Sequence, residues 1–91
     1  MFARRLHVSL TIPGAEPPQR RPCPLKYLDT FAMRSFTGES RFDETLPAAD
    51  GILEASLRVP LPALRDALQD WFRRKGYLRP DEVVEIAESG H

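Results

Sequence analysis

Arg73, Arg74 and Lys75 are consecutive, and Arg79 follows shortly after. Cations this close together can meet a phosphate backbone or an acidic protein surface. They can also serve the chain itself. At the carboxyl end of a helix, each contributes roughly 0.3–1 kcal/mol against the negative pole of the dipole. Arg20 and Arg21 form a second basic pair that can join the first. Trp71, just before the cluster, is of a residue type that anchors interfaces. The expected binding residues are therefore Arg73, Arg74, Lys75, Arg79, Arg20, Arg21 and Trp71.

Other reactive side chains lack the company that chemistry requires. His7 and His91 stand at opposite ends of the chain, and Cys23 is a lone thiol between Pro22 and Pro24. A Cys23–His7 nucleophile pair would need something to lower the thiol pKa, and Cys23, between two prolines in a loop, is expected to stand away from any helix N-terminus. One cysteine and two histidines make no metal set. Asp43, Glu44, Glu54 and Glu85 are carboxylates, but an acid–base pair needs two of them in a sheltered cleft. The glycines show neither phosphate-loop spacing. No catalytic residue, metal site or cofactor is expected, and the chain is read as non-enzymatic.

The elements that position these residues follow from periodicity. In the stretch 59–77, Leu61, Leu64, Leu68, Trp71 and Phe72 recur at helical spacing, with Arg65, Asp66, Gln69, Asp70, Arg73 and Arg74 opposite. Pro62 suits a first turn, Gly76 supplies a left-handed closing residue, and Tyr77 can fold back onto the stripe. Trp71 and Phe72 are adjacent, so one of them must sit at the stripe's edge. Residues 6–12 alternate apolar Leu6, Val8, Leu10 and Ile12 with His7, Ser9 and Thr11, the pattern of a half-buried strand. Residues 13–24 are a proline-rich loop. Residues 25–36 fit a helix through Leu25, Leu28, Phe31, Ala32 and Phe36, although their aromatics also suit a strand. A turn at Thr37-Gly38-Glu39-Ser40 is followed by a weak strand at 41–46. Pro47-Ala48-Ala49-Asp50-Gly51 reads as a turn, with Asp-Gly at the positive-φ positions. Residues 52–59 form a strand with Leu53, Ala55, Leu57 and Val59 inward. Residues 82–88 form another, with Val84 and Ile86 inward, and 89–91 are a flexible tail.

This order predicts an α+β two-layer sandwich in one domain, 1–91, with the ferredoxin-like βαββαβ pattern. The alternative is an antiparallel sheet with a single packed helix. The sheet face away from the helices is expected to be polar, with His7, Ser9, Thr11, Glu54, Ser56, Arg58 and Glu85.

Charge narrows the function classes. Thirteen basic and thirteen acidic residues cancel. They are unevenly spread: residues 1–34 carry +4, residues 35–91 carry −4. A balanced total speaks against strong sequence-independent nucleic-acid binding. No apolar run reaches the roughly 18 residues of a membrane span, and no signal peptide is read, so a cytoplasmic location is expected. The expected function is a small stand-alone protein-binding module of inhibitor or adaptor type, occupying a surface of a larger protein partner. Small phage-encoded inhibitors of host defence, anti-CRISPR proteins among them, act in this way, an analogy of size and charge alone. The alternatives are a nucleic-acid-binding module using the basic residues, or a homodimer paired through the edge strands 41–46 or 82–88.

Overall fold

The longest strand, β1 (Ala3–Ile12), organises the sheet. In the computed structural model, which describes residues 3–38 and 42–88, it is followed by β2 (Gln19–Pro22), α1 (Leu25–Gly38), β3 (Thr45–Ala49), β4 (Ile52–Ser56), α2 (Leu61–Arg74) and β5 (Val83–Glu88). β5 pairs with β1 over residues 6–11. β4 pairs with residues 3–7 of β1 and β2 with residues 9–12. These last two ranges do not overlap, so β4 and β2 lie end to end along one edge of β1 and β5 takes the other. β3 pairs outside β4. All the pairings are antiparallel.

The side-chain period of two then decides where the core sits. Leu6, Val8 and Leu10 of β1, Leu53 and Ala55 of β4, and Val84 of β5 share one face and are buried. Leu28 and Phe31 of α1 and Leu64, Leu68 and Phe72 of α2 join them in one cluster. Both helices therefore cover the same sheet face, giving a two-layer α+β sandwich. The sequence order has one strand more than the expected βαββαβ, because β2 is added before α1.

The junction where β2 and β4 meet end to end is closed by backbone bonds. Val8 N–H donates to Gly51 O at 2.8 Å, Cys23 N–H to Val8 O at 3.0 Å, and Gly51 N–H to Cys23 O at 2.7 Å. Gly51 has φ +74°, and a Cβ there would come within 2.9 Å of Pro22 Cβ. Only glycine meets both conditions without rearrangement. Beside it, Asp50 Oδ1 accepts the Leu25 N–H at 2.7 Å. The β3–β4 turn thus satisfies one of the orphan donors at the start of α1.

Several boundaries differ from the sequence expectation. Residues 13–24 are not wholly loop: Gln19, Arg20 and Arg21 carry backbone donors, and together with Pro22 they form β2 beside β1. The strand expected at 41–46 lies at Thr45–Ala49, so Pro47 to Ala49 are strand and the turn narrows to Asp50-Gly51. Pro47 is tolerated because β3 is an edge strand, with a register shift between Pro47 and Ala49. Among the described residues the positive φ values belong to glycines, so Gly51 alone takes that role in the turn. β4 ends at Ser56 and leaves Leu57 60% exposed, while Val59 is buried. Thr11 on the open face is buried, as is Glu82, which precedes β5. Thr37 and Gly38 complete α1. Glu39, Ser40, Arg41 and the tail 89–91 lie outside the described residues.

α2 matches its expected start and stop closely. Pro62 sits in the first turn, and Lys75 caps the end. Gly76 follows with φ +75°. Tyr77 N–H then donates to Phe72 O at 2.8 Å, which brings the Tyr77 ring back onto Tyr27 in a stacked pair with centroids 4.0 Å apart. Among the described residues, no helix is long and apolar enough to cross a membrane.

Candidate functional site

Phe72 is fully buried and Trp71 is half-buried. Neighbouring positions on a helix differ by about 100°, so the burial of one ring turns the other toward the α1 side and the surface. The Trp71 Nε1–H donates to Thr30 Oγ1 on α1 at 3.2 Å, while Thr30 Oγ1 donates in turn to Tyr27 O at 2.8 Å. The indole is thereby held across the seam between the helices. Two cations approach its ring. The Arg34 guanidinium of α1 lies 5.3 Å from the centroid and Lys75 Nζ lies 5.0 Å from it. Both distances are within the range of cation–π attraction. Met33, next to Arg34, is 67% exposed. An aromatic plate and two cations thus gather on the outer helical layer.

The other expected cations are placed differently. Arg74 pairs with Asp70 one turn earlier at 3.0 Å, an exposed i,i+4 pair. Arg73 donates to Glu82 O at 3.3 Å. Arg79 contributes its backbone N–H, which donates to Glu82 Oε1 at 3.0 Å. Arg20 and Arg21, adjacent in sequence, are separated by strand alternation. Arg20 stands opposite Thr11 on the open face, and Arg21 stands opposite Leu10 on the helical side. Arg20 meets Glu85 at 2.7 Å, with both side chains exposed. Arg21 reaches Glu82, its Nε 3.0 Å from Oε2 and its Nη2 3.2 Å from Oε1. The six basic residues are therefore distributed over four places, and of them Lys75 meets Trp71, together with Arg34.

Glu82 is the group that sequence reasoning missed. It is 2% exposed, and its carboxylate accepts the forked Arg21 guanidinium and the Arg79 N–H. The Arg21 hydrogen bond holds the Glu82 carboxyl below the ordinary carboxylate range, against the opposing effect of burial. Arg21 is raised in turn, chiefly by its bond to Glu82. Arg21 Nη2 also reaches Tyr77 O at 3.4 Å. This cluster ties β2 to the loop between α2 and β5. The available signal was the lone Glu82 before the alternating run, with Pro80 and Asp81 marking a turn; its arginine partner is distant in sequence.

Cys23 does not stand away from a helix N-terminus as expected, since α1 begins two residues on at Leu25, but it is fully buried, and burial pushes its thiol up to about 12, so it stays protonated. His7 is exposed on the open face. It lines a shallow depression, open to solvent, with Ser9, Arg20, Arg65, Glu85, Ile86 and Ala87. Among the described residues, no cluster of three or more His, Cys, Asp or Glu side chains could hold a metal ion.

Among curated proteins, the chain is similar to a CinA-like protein of Chlorobium phaeobacteroides (strain DSM 266 / SMG 266 / 2430), with 36% identity over 63 residues. That stretch is 69% of this chain and 15% of the relative, so the chain spans a small part of the protein it matches. No family model matches the chain. No solved structure matches it either.

Proposed function

We propose that this domain is a non-enzymatic protein-binding module whose contact surface is the helix seam around Trp71. One observation carries the reading: a half-buried indole, fastened to Thr30, with Arg34 and Lys75 against its ring on the outer layer. Rigid aromatics flanked by cations act as anchors because they offer large area at small entropic cost and select acidic partners by charge. The fitting partner is a larger protein presenting a carboxylate-rich surface, and the domain acts by occupying it, as an inhibitor or adaptor does.

The nucleic-acid reading is second. Arg73, Arg74, Lys75, Arg79, Arg20 and Arg21 would carry it, but Arg20, Arg21 and Arg74 each meet a carboxylate within the chain. That leaves fewer cations to replace counterions on a phosphate backbone.

The test compares immobilised wild-type chain with Trp71→Ala and Lys75→Glu variants in nuclease-treated extract of the native host. The expected result is a protein retained by the wild type and lost from both variants while their circular dichroism is unchanged. A labelled single-stranded DNA titrated in parallel separates the readings. Tight binding that weakens steeply with salt, and survives Trp71→Ala, overturns the proposal in favour of the phosphate-binding reading.

A further inference from the structure

We propose that Arg65, Gln69 and Arg73 of α2 keep the outer edge of β5 closed to strand pairing with a second copy of this chain. β5 pairs with β1 on one side, so alternate backbone groups of its other side point outward. At Val84, and at Glu82 just before the strand, such groups are met by helix side chains. Val84 N–H donates to Gln69 Oε1 at 3.1 Å. Val84 O accepts from Arg65 Nε at 3.1 Å. One step back, Glu82 O accepts from Arg73 at 3.3 Å. Arg65 Nη2 also donates to Gln69 Oε1 at 3.1 Å, which fixes the two side chains together.

The spacing explains why this works. Four helical residues advance about 6 Å, and two strand residues advance about 6.6 Å. Gln69 and Arg73, four apart on α2, can therefore reach backbone groups of Val84 and Glu82, two apart along the chain, while Arg65 joins Gln69 at Val84, like the rungs of an absent strand. The opposite border of the sheet is blunted by another device. β3 carries Pro47, which has no N–H to offer, and a register shift next to it. β5 has no proline, and its Glu85 charge is balanced by Arg20, so without the helix its edge would suit a copy of itself. Such pairing would be antiparallel and two-fold, the commonest symmetry of homodimers.

Sedimentation equilibrium of the wild type and of an Arg65→Met/Gln69→Met double variant tests this, because methionine keeps the aliphatic stems while removing the hydrogen bonds. The wild type is expected to remain monomeric. The variant's mass should rise toward twice the monomer value with concentration. In dilute variant the Val84 amide should exchange roughly tenfold faster than in the wild type, and it should slow again as the variant associates. A wild type that is itself dimeric through β5 overturns the proposal. So does a folded variant that stays monomeric at every concentration while its Val84 amide exchanges fast. Should the double variant fail to fold, Gln69→Met alone is read by the same two measurements.

Discussion

The end of α2 supports two polar clusters that differ in their access to water. On one side, Arg21 and the Arg79 amide converge on Glu82, which is 2% exposed. On the other, Lys75 and Arg34 lie against Trp71 at the surface. Both draw on the same run of basic residues. The first is structural: removing one partner strands a charge in a poorly solvated place, and the loop between α2 and β5 loses its fastening. The second lies at the surface, where exposed charges contribute little to stability, and is the one proposed to meet a partner. Burial, more than charge, separates a residue that holds the fold from one that can bind.

The sharpest way to break that contrast is at Arg21. Arg21→Met should cost about 3 kcal/mol in urea unfolding, the lower end of the range for orphaning a buried charge, because Arg21 is itself partly exposed. A loss near zero would mean that water or the Arg79 amide compensates fully, and the two clusters would then be alike.

Acid probes the same cluster without a mutation. The Glu82 carboxyl is held low in the folded chain, so the unfolded chain takes up its proton more readily. The stability contributed by the pair is complete above the ordinary carboxylate range. It is lost as pH falls through the lowered folded value. Urea midpoints followed downward from neutral pH should therefore drop on the acid side in the wild type. In Glu82→Gln that drop should be smaller.

Two milder substitutions sharpen the other side. Trp71→Phe keeps a ring at the seam but loses the bond to Thr30, and should cost about 1 kcal/mol. Lys75→Met should change stability by less than about 0.5 kcal/mol. Both are measured by the same urea titration. A large loss for Lys75→Met would move the surface cluster into the structural class.

Much of the architecture was legible in the chain. The stripe Leu64, Leu68 and Phe72 and the alternation Leu6, Val8 and Leu10 fixed a helix and a strand, because each period admits a single buried face. Gly76 and Tyr77 announced how the helix would end. What was hidden rests on partners distant in sequence. β2 exists because β1 offers it an edge beyond the end of β4, and no local pattern in a proline-rich stretch announces that. The Asp50 carboxylate meets the start of α1 across 25 positions, a contact invisible to local periodicity. Of the candidate site, Trp71 and Lys75 were readable as types, but Arg34 joins them only because α1 packs alongside α2.

Local periodicity and turn chemistry, written in the order of residues, determined the class of fold, the core stripes and the ends of α2. Tertiary structure decided which of two adjacent rings went inside and which of two adjacent arginines found Glu82. The physical reason is alternation: neighbours along a strand or helix point to different surroundings, and those surroundings are assembled from elements brought together only when the chain folds.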